Sequence, residues 1–410
     1  MVKIDMKTNL PLHWKLKRLG DVCEIVMGQS PESIYYNENG DGLPFFQGKA
    51  EFTDVHPVAK KWCSKPKKLA EKNDILLSVR APVGTVNIAN EKCCIGRGLA
   101  AIRYDNYRYI FYFLKSVEKE LDKKGTGTTF KAVSGEIVKN LQIPIPPLPE
   151  QEQIVAKIEE LFSELDAGIE NIKTAQEQLK VYRQSLLKWA FEGKLTNEDE
   201  CLGWTIKEVG EFAKVKGGKR LPKGASYSES KTKYPYIRVT DFERQSINVN
   251  NLKYLSCETQ EKIKRYTISS DDVYISIAGT IGATGTIPEI LSGANLTENA
   301  AKICEISGCD KKYLSLFLSS INGQTQIKEK TKTTTQPKLS LYRIESIQIP
   351  IPPLSEQLKI VEELESRLTV CDKLEEDIKF SLARAESLRQ SILKQAFEGK
   401  LVNFKGETDK

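Results

Sequence analysis

Residues 142–155 read QIPIPPLPEQEQIV, and 206 positions later residues 348–361 read QIPIPPLSEQLKIV. At the same offset, RQSLLKWAFEGKLTN (183–197) answers RQSILKQAFEGKLVN (389–403). About half of the ungapped positions from 141 to 197 are identical to their counterparts. An internal repeat of this strength constrains the fold first: the chain is one plan used twice. The front of each half matches only loosely. LPFFQGKAEF (43–52) resembles YPYIRVTDF (234–242), DILLSVRAPVGTV (74–86) resembles DVYISIAGTIGAT (272–284), and TTFKAVS (128–134) resembles TTQPKLS (334–340). A constant back suggests one kind of partner met twice, and divergent fronts suggest two different targets.

The backs read as helices. Pro149 and Ser355 occupy helix-start positions, at N1 and N-cap, and Gly193 and Gly399 follow the last periodic residues. Apolar residues at 154, 158, 161, 165, 168, 172, 175, 179, 182, 186 and 189 step alternately by four and three, with a matching series from 364 to 392. That is a coiled-coil seam. Each helix of about 43 residues spans roughly 65 Å at 1.5 Å per residue. The other copy is the natural partner for its stripe. Domain ends usually lie close together, which makes the two helices antiparallel and the molecule nearly circular with a pseudo-twofold. A solvated stalk or a coiled-coil homodimer is the alternative.

The fronts mix short runs rich in Val, Ile and Tyr (74–79, 235–239, 273–278) with helical patterns at 109–121 and 312–321. The expected fold is therefore α+β. Two mixed α/β domains, 1–148 and 204–354, are each followed by a long helix, 149–203 with its linker and 355–410 with the tail. The proline-fixed IPIPPL segments read as stiff joints.

The net charge of +6 is unevenly spread: +7 over 1–148, −6 over 149–203, +7 over 204–354 and −2 over 355–410. Two basic domains separated by an acidic helix suit a polyanion held at two points. Candidate contacts combine bases or polar groups with turn residues: Gln29 and Ser30 in GQSPES, Lys216, Lys219, Arg220 and Lys223 in KGGKRLPKG, Lys49, Arg238 and Arg244 after the matched strands, Arg80 and Arg97 beside glycine turns, and Thr128, Lys131, Thr334 and Lys338 in the matched TT segments. Such groups bind phosphates, and arginine reads guanine bidentately. Solvated loops and salt-bridged surface arginines are the competing explanation for each.

Catalysis finds no support. There are two histidines, His13 and His56, and no phosphate loop, HExxH, GxSxG or GxGxxG motif. Each Pro-Pro follows Ile and precedes Leu, unlike the Asn/Asp-Pro-Pro-Tyr site of amino-methyltransferases. Nine cysteines without a CxxC pair read as reduced thiols of a cytoplasmic protein. No apolar run is long enough for a membrane helix, and the N-terminus has no signal core.

Two divergent domains, each followed by IPIPPLxEQ and RQS(L/I)LK…AFEGKL, resemble the specificity subunits of type I restriction–modification enzymes over nearly the whole chain. GGKRLPKG, YPYIRVTDF and AGTIGATG…NLTENAA look like one common type of target-recognition domain. The resemblance implies that each front domain reads one half of a split, asymmetric double-stranded DNA site and that the helices fix the spacer. It implies two methyltransferase subunits docked on the repeated helices, through Glu150, Gln151, Arg183, Phe191 and Lys194 and through Glu356, Gln357, Arg389, Phe397 and Lys400. Restriction–translocase subunits would join through them. S-adenosylmethionine, ATP and magnesium would belong to those partners, leaving this chain non-catalytic and without a cofactor or metal of its own. A non-catalytic two-headed scaffold for proteins is the alternative, and an enzyme with an unfamiliar site is the third possibility.

Overall fold

The computed structural model describes residues 10–125, 131–196, 204–331 and 337–404. The chain forms two compact units, Met1–Ile172 with Phe380–Lys410, and Lys173–Lys379. The division does not fall between head and helix. It runs through both long helices, Leu148–Phe191 and Leu354–Phe397, so each unit holds one head, the start of one helix and the end of the other.

In the first unit, Lys15–Arg18 pairs antiparallel with Gln142–Ile145. The QIPI segment is thus a strand rather than only a joint. Proline is tolerated because this is a two-stranded ribbon whose central pair is Leu16 with Pro144. A four-stranded antiparallel sheet follows the order Glu24–Met27, Leu99–Arg103, Ile75–Ser78, Val86–Ile88. A second, five-stranded sheet contains Leu43–Phe46 running parallel to Cys93–Ile95. The helix Tyr107–Ser116 is capped by Asn106 and buries Tyr109, Ile110, Phe111, Phe113 and Leu114.

The second unit repeats this topology in a different sequence. Thr205–Glu208 pairs with Gln348–Ile351, and Lys214–Gly217, Ala300–Cys304, Val273–Ser276 and Thr284–Thr286 form the four-stranded sheet. Pro235–Ile237 runs parallel to Ala294–Leu296. Helix Lys311–Ser319 is capped by Asp310, whose carboxylate accepts from the amides of Lys312 and Tyr313 at 2.9 Å. It adds a hairpin, Phe242–Glu243 with Ser246–Ile247, turned by Arg244 and Gln245 at φ 46° and 59°.

The first long helix begins one residue, and the second two residues, before the sequence suggested, so Ser355 lies inside the first turn and is not the cap. The carbonyls of Pro147 and Pro353 do that work, accepting from the amides of Glu150 and Gln151 and of Glu356 and Gln357. Both helices end as expected. Gly193 and Gly399 adopt φ 73° and 71°, and the amides of Lys194 and Lys400 return to the carbonyls of Trp189 and Gln395.

The seam differs from its heptad expectation. Ala175, Tyr182 and Trp189 are exposed. The protected stripe of the first long helix runs 154, 158, 161, 165, 168, 172, 176, 179, 183, 186 and 190, ten steps over 36 residues. The period is 3.6, that of a straight helix, rather than the 3.5 of a supercoil. The second long helix departs from its seam at Leu374 and Leu388, which are exposed, while the expected Cys371, Ala385 and Ile392 are buried. In the first unit, Ile154, Ile158 and Phe162 share one core with Ile392, Ala396 and Phe397. In the second, Leu186, Ala190 and Phe191 share one with Ile360, Leu364 and Cys371. The start of one helix therefore lies beside the end of the other within each unit, an antiparallel pairing. The eight cysteines among the described residues are all unbonded, and all but Cys257 are buried.

Candidate nucleic-acid interface

Three turns and the end of a strand converge at one edge of the first head. They enclose a concavity of about 170 Å³ lined by Ser30, Gln47, Gly48, Lys49, Ser78, Arg80, Ala81, Arg97 and Gly98. Glycine makes the convergence possible. A Cβ on Gly28 would meet the Gly96 carbonyl oxygen at 2.1 Å, and one on Gly98 would meet that of Gln47 at 2.1 Å. The turns are tied together by amide donors from Gly28 to Leu99 O, Gln29 to Ile95 O and Gly96 to Phe46 O, and by Arg97 N to Ser30 Oγ at 3.2 Å. Arg80 is fixed by an isolated bridge to Ala132.

Four sequence candidates, Ser30, Lys49, Arg80 and Arg97, thus meet at one place. Lys49, Arg80 and Arg97 are exposed and form no ion pair among the described residues. Their charge is available to an anion. Gln29 is exposed next to them. Gln47 and Ser78 escaped the sequence analysis, because nothing in either segment marks it as lining a concavity.

Other basic candidates are ion-paired within the chain. Lys131 pairs with Asp122 at 2.9 Å, Lys216 with Glu305 at 2.6 Å, and Arg220 with Glu298 at 2.6 Å. Arg238 clamps Asp241, which is only 3% exposed, and so braces a turn. Arg244 reaches Glu376 of the second long helix at 3.4 Å and lines, with Arg183, Lys312 and Asp372, a cavity against that helix pair. Lys219 lies over the Tyr266 ring at 5.4 Å, and Lys223 and Lys338 are exposed. Thr128 and Thr334 lie outside the described residues.

The ion pairs shift the acids they hold. Hydrogen bonds from Lys214 and Lys216 pull the Glu305 carboxyl down to about 2. Burial opposes ionisation of Glu298, yet the hydrogen bond from Arg220 holds its carboxyl below the ordinary value.

The helix residues assigned to partner subunits largely face inward. Glu150, 3% exposed, accepts from Trp14 Nε1 at 3.0 Å and meets His13 Nε2 at 2.8 Å. Gln151 donates to the carbonyls of Pro146 at 2.9 Å and Gln357 to that of Pro352 at 2.8 Å, both from buried positions. Phe397 packs edge-on against Tyr109 and Phe113, and Phe191 packs likewise against Tyr313 and Phe317. Arg183 is paired to Asp372, while Arg389 is paired to Asp166 and lies over the Phe162 ring. These seven residues hold helix to helix or helix to head, and the contacts of Gln151, Phe191 and Arg183 are made again by Gln357, Phe397 and Arg389. Lys194 and Lys400 remain exposed, beside Glu192 and Glu398, and Glu356 is half-buried. No group of acids, cysteines and histidines suited to a metal ion occurs among the described residues, nor does any helix there long and apolar enough to cross a membrane.

Comparison with known proteins matches residues 11–179 and 202–384 to the family of the type I restriction modification DNA specificity domain. A putative type I restriction enzyme MjaX specificity subunit from Methanocaldococcus jannaschii is 39% identical over 193 residues, covering 45% of this chain and 44% of that one. The EcoBI specificity subunit of Escherichia coli is 23% identical over 95% of this chain and 86% of its own length. A solved chain from a type I R-M system superposes with a TM-score of 0.79 at 22% identity, covering 95% of this chain and 99% of that one. At that identity, the likeness is one of fold.

Proposed function

The chain belongs to the family of type I restriction–modification DNA specificity proteins, and from that premise we propose that its two heads each read one half of a split duplex site. The observation that carries this is the concavity of the first head. Lys49, Arg80 and Arg97, which have no ion pair among the described residues, converge there with Ser30 and Gln47. Cations hold phosphates, and oriented hydrogen-bonding groups, arginine among them, distinguish bases.

The long helices set the distance between the two half-sites, and their exposed faces dock the methyltransferase subunits, with restriction–translocase subunits joining through these. The first helix offers Val181, Tyr182 and Trp189 to solvent, and the second offers Val370, Leu374, Phe380 and Leu388. These replace the buried Gln151, Gln357, Phe191 and Phe397 as contact candidates. S-adenosylmethionine, ATP and magnesium are assigned to the partners, and this chain supplies sequence recognition without catalysis in the cytoplasm.

The experiment is competitive duplex binding by the chain assembled with its methyltransferase. One bipartite sequence should outcompete random duplex at every salt concentration. Equal competition by all sequences would leave the protein-scaffold alternative standing.

A further inference from the structure

The heads share a backbone framework that their sequences disguise. Gly28 N donates to Leu99 O at 2.9 Å, and Gly218 N to Ala300 O at 3.0 Å. Gln29 N donates to Ile95 O and Lys219 N to Leu296 O. Leu99 N returns to Gly96 O and Ala300 N to Thr297 O, while Val79 N meets Gly98 O and Ile277 N meets Asn299 O. These hydrogen bonds make Ser30 the counterpart of Arg220 and Arg97 the counterpart of Glu298.

Each head therefore carries one arginine at the meeting of the same two turns, supplied from opposite sides. In the first head, Ser30 Oγ accepts from the backbone of Arg97. In the second, Glu298 accepts from Nε of Arg220. The same exchange occurs at the neighbouring bridge. Arg80 faces Ala132 in the first head, and Ala278 faces Lys338 in the second. One exposed cation is retained in each head while its strand of origin changes.

We propose that this junction is a base-reading position common to both heads, filled by Arg97 in one and Arg220 in the other, with Arg80 and Lys338 as matched phosphate contacts. The proposal rests on the DNA-reading function above. Base reading needs a fixed direction, whereas phosphate contact needs charge alone. The backbone that carries Arg97 is held by a turn too tight for a side chain at Gly28 or Gly98. Arg220 is fixed at Nε by Glu298 but remains 78% exposed, so its terminal nitrogens present paired donors. Two parallel donors fit the O6 and N7 acceptors of guanine. Delivery from opposite turns aims the guanidinium differently, which lets one framework read different positions.

The test is selection from random duplex by the full chain with its methyltransferase, followed by sequencing. Absence of any preference in the unaltered complex would bring down the DNA-reading function and this proposal with it. Given a bipartite preference, Arg97→Ala should reduce discrimination roughly ten- to hundredfold at one base pair of one half-site. Arg220→Ala should do so only in the other half, and Glu298→Gln should weaken that same base pair. Arg80→Ala and Lys338→Ala should keep the sequence and lower the salt slope by about one. Thermal melting of each variant checks folding, and all four cations are exposed. Unchanged discrimination, or uniform weakening across all bases, with Arg97→Ala and Arg220→Ala would overturn the proposal.

Discussion

Arg183 on the first long helix is ion-paired with Asp372 on the second. Both sit on the protected stripe where apolar residues give way, and 206 positions away the same types pair again as Arg389 with Asp166. An arginine on such a stripe packs its stem and keeps its charge answered. Arg183→Ala should lower stability by about 1 kcal/mol, since the partners are 29% and 39% exposed and solvent screens the pair. Arg183→Ala and Asp372→Ala together should cost less than the sum of the two single changes. Urea unfolding of the single and double variants measures the coupling.

Phe397 and Phe191 join the end of one helix to the head in whose unit they lie. Each is buried and edge-on to two aromatic rings. Replacing either by Ala should cost about 3–5 kcal/mol. Denaturant unfolding checks this, and Phe→Leu at the same position should retain most of the stability.

Glu305 provides a pH readout. Its carboxyl is depressed from the ordinary 4.5 to about 2 by Lys214 and Lys216. A depressed acid contributes stability that is fully present above its unfolded value and lost as pH falls from about 4.5 through about 2. Carboxyl titration by NMR should place its midpoint near that lower value. Lys214→Ala with Lys216→Ala should return it towards 4.5.

Unpaired cations should separate from paired ones in salt titrations of duplex binding. Lys49→Ala should reduce the slope of affinity against salt by about one. Lys131→Ala should barely change it, because Asp122 already neutralises that lysine.

Helix length offers a separate test of spacing. Seven residues added at repeat-equivalent points in both long helices turn the buried face by only about 20° and add roughly 10 Å. The preferred gap between half-sites should lengthen by about three base pairs, read from selected duplexes.

The sequence made the repeat, the long helices and their glycine ends legible because proline and glycine act locally. The seam went out of register because Arg183 and Arg389 read as surface while occupying the stripe. Repetition of Gln151, Phe191 and their copies suggested a shared partner, but an internal lock made twice produces the same pattern. Arg80 and Arg97 were legible beside their glycines. The ion pairing of Lys216 and Arg220 was not, because Glu305 and Glu298 lie 89 and 78 residues away. The common framework of the heads was hidden for the same reason: strands of two to five residues carry little pattern, and backbone hydrogen bonds leave no residue signature.

The most direct test is to sequence the sites bound and methylated from a random duplex pool by the complete complex. The account predicts one motif of two short, different halves separated by a gap of fixed length and unrestricted sequence. A single uninterrupted motif, or no motif at all, would contradict it.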